Sequence, residues 1–251
     1  MQIPFAAISD FMIDLTVDLG GVAVGLSLAY DNYKYIFEPL ATERAPQTFA
    51  FLPEDELHRV MPCYPGAPNE GYVESMELCR LCCDALLPFE RAVFHALSFM
   101  WRGKAWLLTA PSGTGKSTHY VLWKLRYGEE IQLMNGDKPV LDASGETISV
   151  CPSPWYGKEG MHQMLSAPLG GVIILEQAQE NSMRRISVRE AVGRIFSQFL
   201  FSAENAEQLE YVSKIETKLL ESVPVWLLRN RGDTAAAELC HDTISRELKL
   251  E

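Results

Sequence analysis

The chain has 251 residues, 47% of them hydrophobic, and 33 acidic against 22 basic side chains give a formal net charge of −11. That length suits one large domain, or one domain with a smaller appended part, and it allows a sizeable buried core. The acidic balance, with no run of five or more basic residues, argues against a nucleic-acid or anionic-membrane surface.

The N-terminal stretch "MQIPFAAISDFMIDL" has no basic segment and carries Asp10 and Asp14, so it does not read as a signal peptide. The longest apolar stretches fall well short of the ~20 residues that span a bilayer. "FMIDLTVDL" sets Ile13, Leu15 and Val17 against Asp14, Thr16 and Asp18, the period-2 alternation of a strand. "GGVAVGLSL" and "YKYIFEPL" are read as further strands, and "QTFAFL" as a fourth. Residues 53–71 hold four prolines and two glycines and read as a surface connection.

From Tyr72 the pattern is helix-friendly through "HALSFMWRG", with Pro88 splitting or restarting the helix. "KAWLLTA" is a short buried-type strand, residues 115–127 a helix that Gly128 can end, and "IQLMN" the next strand. "KPVLD" and "TISVC" fit two strands joined by the turn "DASGE". "GGVIILEQ" is a core strand, and "VREAVGRIFSQFLF" and "AENAEQLEYVSKIETKLL" are helical. "VPVWLLRN" is a last strand, and "DTAAAELCHDTISREL" is a closing helix with Asp233 or Thr234 near its cap. Strands alternating with helices predict an α/β fold, divided into a β-rich N-terminal region over 1–71 and a nucleotide-binding domain over 72–251.

Six cysteines, at 63, 79, 82, 83, 151 and 240, are clustered irregularly and read as reduced thiols of a cytoplasmic protein. "CRLCC" lacks the second ligand pair of a structural zinc site, and its spacing beside leucines suits buried helix thiols.

The chemistry concentrates in "APSGTGKST", residues 110–118. It fits the phosphate-loop pattern with Ala110 in the first position and Gly115, Lys116 and Ser117 in the last three. A strand before it and a helix after it are the context such a loop requires. Gly113 and Gly115 let backbone N–H groups converge on an anion, and the helix N-terminus adds partial positive charge. Ser112, Gly113, Thr114, Gly115, Lys116, Ser117 and Thr118 are the candidate nucleotide contacts, with Lys116 on the outer phosphates and Ser117 on Mg2+. Asp137 ends the next strand, 20 residues beyond Ser117, and one intervening helix returns the chain to the same sheet end. It is the candidate second Mg2+ ligand.

"SGTGKST" followed by that strand-end carboxylate resembles the HPr kinase/phosphorylase family, whose core is shared with phosphoenolpyruvate carboxykinase. The resemblance covers roughly residues 90–175 and is greatest to smaller HPr-kinase-like proteins. It implies a phosphate-loop core using ATP and Mg2+ to phosphorylate a serine hydroxyl of a peptide or protein, and, since HPr kinases are hexamers, a homo-oligomer. His95 corresponds in kind to the family's upstream active-site histidine. The family carries two adjacent aspartates at the strand end. Here the pair reads Gly136-Asp137, so the metal role carries over to Asp137 and the base role does not. Asp137 itself, His95 or Glu159 are the candidates for that base.

"CPSPWYGKEG" is a second candidate loop, with Trp155 and Tyr156 as exposed aromatics and Lys158 as a contact to phosphate or acceptor. Arg184 and Arg185 read as solvated residues at or before a helix. Two other functional readings stay open beside the kinase: a catalytically weak nucleotide-sensing module acting through a protein partner, and an ATPase coupled to motion.

Overall fold

The structure is a computed structural model that describes residues 13–157, 160 and 162–249. The chain forms two compact units, Met1–Phe89 and Glu90–Glu251.

In the first unit, strands β1 (Leu15–Leu19), β2 (Val22–Leu26) and β3 (Thr48–Ala50) make a three-stranded sheet in that order. The alternation around Val17 does form a strand, and Asp18 accepts the Gly21 N–H in the tight turn to β2 at 2.7 Å. "YKYIFEPL" is not a strand. It winds through two 3-10 turns, Asp31–Ile36 and Glu38–Leu40, because Pro39 has no N–H to give a ladder. Within 53–71, read above as irregular, helix α1 (Glu54–Val60) forms. Glu54, Asp55 and Glu56 fill its first turn and His58 and Arg59 its last, each complementing the helix dipole. Helix α2 (Glu70–Leu86) is capped by the Asn69 side chain and buries Cys79, Cys82 and Cys83, as expected of helix thiols. Leu52, Leu57 and Val73 form a small core here.

The second unit is a mixed α/β layer. A nine-stranded sheet takes β4 (Arg91–Val93), β5 (Leu97–Trp101), β6 (Lys104–Thr109), β7 (Gln132–Asn135), β8 (Val140–Asp142), β9 (Ser149–Cys151), β10 (Ala167–Gln177), β11 (Ser182–Arg185) and β12 (Val225–Asn230). The helices are α3 (Lys116–Tyr127), α4 (Val188–Phe196), α5 (Ala206–Ser222) and α6 (Thr234–Leu248). Residues 91–101, read above as helical, are two strands instead. Arg102 and Gly103 both have positive φ, 52° and 70°, and close a two-residue hairpin that pairs β5 with β6. The "RG" dipeptide between two apolar runs is the sequence signal for it. The residues of β11 were likewise not read as a strand, and the helix expected over 188–201 stops at Phe196.

Strand directions decide where chemistry can gather. β12, β10 and β6 are mutually parallel, β5 is antiparallel to β6, and β7 is antiparallel to β5. The carboxyl ends of β6, β7, β10 and β12 therefore share one sheet edge with the amino end of β5. Beneath that edge lies a core of buried aromatics including Phe99, Trp101, Trp106, Trp123 and Trp226. The consecutive glycines at 170 and 171 on β10 make room for it: a Cβ on Gly171 would stand 2.6 Å from the Trp226 ring and 3.2 Å from that of Trp106.

Candidate functional site

β6 ends at Thr109, and the loop from Ala110 leads into α3 at Lys116. Gly115 sits at the N-cap with φ 106° and ψ 24°, and Gly113 has φ 79°, backbone that a side chain would strain. A Cβ at either would meet nothing within 4 Å, so the requirement is conformational and not steric. The first N–H groups of α3 have no intrahelical partner and point out of the helix start toward the loop. Ser112 and Gly113 are exposed, as is Thr118, whereas Ser117 is half-buried.

Lys116 is buried, 8% exposed. Its ammonium donates to the Ala110 carbonyl at 2.9 Å and lies 3.2 Å from His95 Nε2. His95 belongs to the link between β4 and β5, not to a helix, so it stands at the same sheet edge as the loop. Its Nε2 is also 3.4 Å from Asp137 Oδ1. The structure thus brings Lys116, His95 and Asp137 into one contiguous cluster.

Asp137 is held by its own backbone. Its N–H donates to Asn135 Oδ1 at 2.9 Å and its carbonyl accepts from Ala96 N at 2.9 Å. Lys138 Nζ pairs with its Oδ2. Burial alone would raise the Asp137 carboxyl, but its hydrogen bond with the His95 ring and the Lys138 ammonium outweigh it and hold the pKa down to about 2. His95 Nε2 faces two neighbours of opposite kind. As a neutral nitrogen it accepts from Lys116, and as a protonated one it donates to Asp137.

On the other side of the loop, a groove of about 690 Å³ opens along the carboxyl ends of β10 and β12. Thr114, Thr118, Gln177, Gln179, Arg229 and Arg231 are among its lining residues. Gln177 Nε2 donates to the Thr114 carbonyl at 3.4 Å. Two arginines, amides and a helix start make this groove receptive to anionic, hydrogen-bonding ligands.

Several residues of this site were not singled out from sequence. Asn135 is 1% exposed and its Oδ1 accepts from both Asp137 N and Lys138 N, an Asx turn that the order Asn-Gly-Asp at a strand end could have signalled. Thr109, Lys138 and Gln198 carried no motif. In the second candidate loop Trp155 is buried, 4% exposed, a correction to its reading as an exposed aromatic. Tyr156 is half-buried and stacks on His162 with ring centroids 3.7 Å apart. Lys158 and Glu159 lie outside the described residues. Arg184 is solvated but bonded to Glu190 in a bidentate pair, and it lies on β11.

No protein-family profile matches the chain, and no curated protein matches it in sequence. Among solved structures, the Hpr(Ser) kinase/phosphatase from Coxiella burnetii aligns over 63% of this chain and 97% of that chain, with a TM-score of 0.38 and 13% identity. A likeness of that degree carries no statement about activity. Among the described residues, no helix is long and apolar enough to cross a membrane.

Proposed function

We propose that the chain is an ATP- and Mg2+-dependent phosphotransferase of the HPr-kinase-like type, acting on a hydroxyl, in the first instance a serine of a peptide or protein. The observation that carries this reading is the contact chain Lys116–His95–Asp137 beside a glycine loop that opens a helix. Residues 112–118 are read as the phosphate cradle and the groove lined by Gln177, Gln179 and Arg229 as the room for the nucleoside.

Ser117 and Asp137 fit a magnesium ion chemically, since both offer oxygen and the Asp137 carboxyl, with its pKa held to about 2, is ionised at neutral pH. When bound, such an ion neutralises charge on the phosphates. The chain's own residues do the rest. Loop amides and Lys116 orient the triphosphate. Once Lys116 turns toward phosphate, His95 Nε2 is free to take the proton of the acceptor hydroxyl. The acceptor oxygen bonds to the γ-phosphorus, the bond to the β-phosphate oxygen breaks, and ADP leaves. Asp137 stabilises the imidazolium so formed. Gly136 supplies no side chain to this scheme, and His95 is read as the proton acceptor; such assistance is typically worth ~10²–10⁴-fold.

Incubation with γ-labelled ATP, Mg2+ and serine peptides tests the reading. Label transfer lost in Lys116→Met and sharply reduced in His95→Ala supports it; transfer that survives His95→Ala removes the histidine from the mechanism.

A second reading, a nucleotide-sensing module, is favoured by one observation: both Asp137 oxygens are already engaged, by His95 and Lys138. Under that reading the wild type binds nucleotide, seen as a thermal shift lost in Lys116→Ala, and transfers no label, while Gly136→Asp creates activity.

A further inference from the structure

We infer that Lys138 is the resident cation of the Asp137 carboxylate and competes there with the divalent ion, which binds only by displacing it. This depends on the metal role proposed above for Asp137, and not on phosphoryl transfer.

The backbone sets the two residues side by side. Lys138 N donates to Asn135 Oδ1 at 2.8 Å, in the turn that also takes the Asp137 N–H, and the Lys138 carbonyl accepts from Ser153 Oγ. The next carbonyl, that of Pro139, accepts from Phe94 N at 3.0 Å. The main chain is thus held on both sides of Lys138, and its side chain is the part left to move. The ammonium folds back onto Asp137 Oδ2, and among the described residues it has no other ion-pair or hydrogen-bond partner. Oδ1 faces His95 Nε2 at 3.4 Å, so neither carboxylate oxygen is without a neighbour. The Lys138 and Asp137 side chains are 20% and 24% exposed, sheltered yet within reach of solvent ions.

An ammonium and a divalent ion on one carboxylate repel each other, the more so where water is partly excluded. A carboxylate already matched by an ammonium also offers a bare ion no net charge to neutralise. Magnesium gives up its water reluctantly and draws on substrate phosphates as well as carboxylates. A polyphosphate brings the missing negative charge, and it gives the displaced ammonium a new partner. A compact point charge on a flexible stem suits that exchange. Where no divalent ion is present, Lys138 stands in for it and shields incoming phosphates from the Asp137 carboxylate. Nucleotide therefore binds with or without metal, and the metal binds with nucleotide.

Two titrations test this. In the first, Mn2+ is added to nucleotide-free protein, and its paramagnetic broadening of the backbone amide signals of residues 136–138 is followed by NMR, which separates this site from other surface carboxylates. Lys138→Met is expected to lower the Mn2+ concentration that broadens them by roughly tenfold, a change between the worth of an exposed ion pair and that of a buried one. Lys138→Arg, which keeps the cation, is expected to follow wild type, and Asp137→Asn added to Lys138→Met to cancel the gain. Equal sensitivity of wild type and a folded Lys138→Met overturns the inference. Tight, micromolar Mn2+ binding at this site in nucleotide-free wild type overturns it whatever the variants do. In the second, the Kd of ADP is measured by calorimetry in EDTA and in excess Mg2+. Lys138→Met is expected to weaken binding in EDTA by roughly tenfold, on the same grounds, and to leave it nearly unchanged in Mg2+, with the loss recovered when Asp137→Asn is added. Equal weakening in both conditions makes Lys138 an ordinary phosphate contact and overturns the inference. Absence of nucleotide binding by wild type sinks the proposed function and leaves the Mn2+ titration to decide.

Discussion

Asn135 Oδ1 accepts the backbone N–H of Asp137 at 2.9 Å, and with it the N–H of Lys138 at 2.8 Å. The turn that aims the Asp137 carboxylate is therefore made by a buried amide two residues earlier. Asn135 also donates from Nδ2 to Ser153 Oγ at 3.2 Å, which ties the turn to the loop that follows β9. Replacing Asn135 by alanine leaves two backbone N–H groups without their acceptor. We expect Asn135→Ala to cost about 2–3 kcal/mol in urea unfolding and to abolish phosphoryl transfer even where the protein is still folded. A variant of wild-type stability would show that the two N–H groups find other acceptors.

Gly171 packs its bare backbone against the ring of Trp226, with the Pro224 carbonyl 3.0 Å from where a Cβ would stand. Neither ring can retreat, because Trp106 and Trp226 are both fully buried and only 6.1 Å apart. Gly171→Ala is expected to destabilise by about 3 kcal/mol, at the upper end of overpacking costs. Gly193, on the exposed side of α4, is the control. A Cβ there would meet nothing within 4 Å, so Gly193→Ala should stabilise by roughly 0.5–1 kcal/mol through helix propensity. Opposite signs in paired thermal melts are the expected outcome.

These two positions show what a sequence reading reaches and what it does not. The strand around "GGVIILEQ" was legible because eight residues of mostly buried character exceed any turn's appetite for apolar side chains. The reason for its two glycines was not, since it lies in tryptophans 64 and 55 residues away along the chain. The glycine loop was legible because its chemistry is local: strand, loop and helix start are contiguous. Asp137 was reachable from the length of one helix. His95 was named but set on a helix, because "AVFHALSFMW" has the apolar content of either state and only the positive-φ turn at Arg102–Gly103 separates them. Gln198 was invisible, because a helix pattern ran on past the point where Phe196 ends α4, and its partners, His95 and Thr109, are about a hundred residues away.

The Asp137 carboxyl gives the protein an acid limb. Its folded pKa, about 2, lies below the ordinary 3.8, so the folded state holds its proton less tightly than the unfolded chain. The resulting stability is fully present above about pH 4 and is lost as pH falls from there toward 2. A shift of this size corresponds to about 2 kcal/mol at neutral pH. Asp137→Asn should lower stability at pH 7 by up to that amount and flatten the curve between pH 4 and 2. Equal slopes for variant and wild type over that window would remove Asp137 as their source.

Glu216 works in the opposite direction. It lies on α5 at 5% exposure, one oxygen accepts the Phe196 N–H, and Oε1 has no partner among the described residues. Burial raises its pKa from 4.5 to about 7, and the single backbone hydrogen bond only partly counters that. Between these two values the folded state binds the proton and the unfolded chain does not, so stability falls as pH rises from about 4.5 to about 7 and stays low above it. The loss is on the order of 3 kcal/mol. A glutamine in this place keeps an acceptor for the Phe196 N–H and carries no charge at any pH. Glu216→Gln should therefore be more stable than wild type at pH 8, match it near pH 4.5, and show a flat profile between. Urea midpoints for the two proteins, taken at intervals across that range, measure the divergence directly. A Glu216→Gln protein whose stability profile parallels wild type across pH 4.5–8 would show that this carboxyl is already hydrated in the folded state.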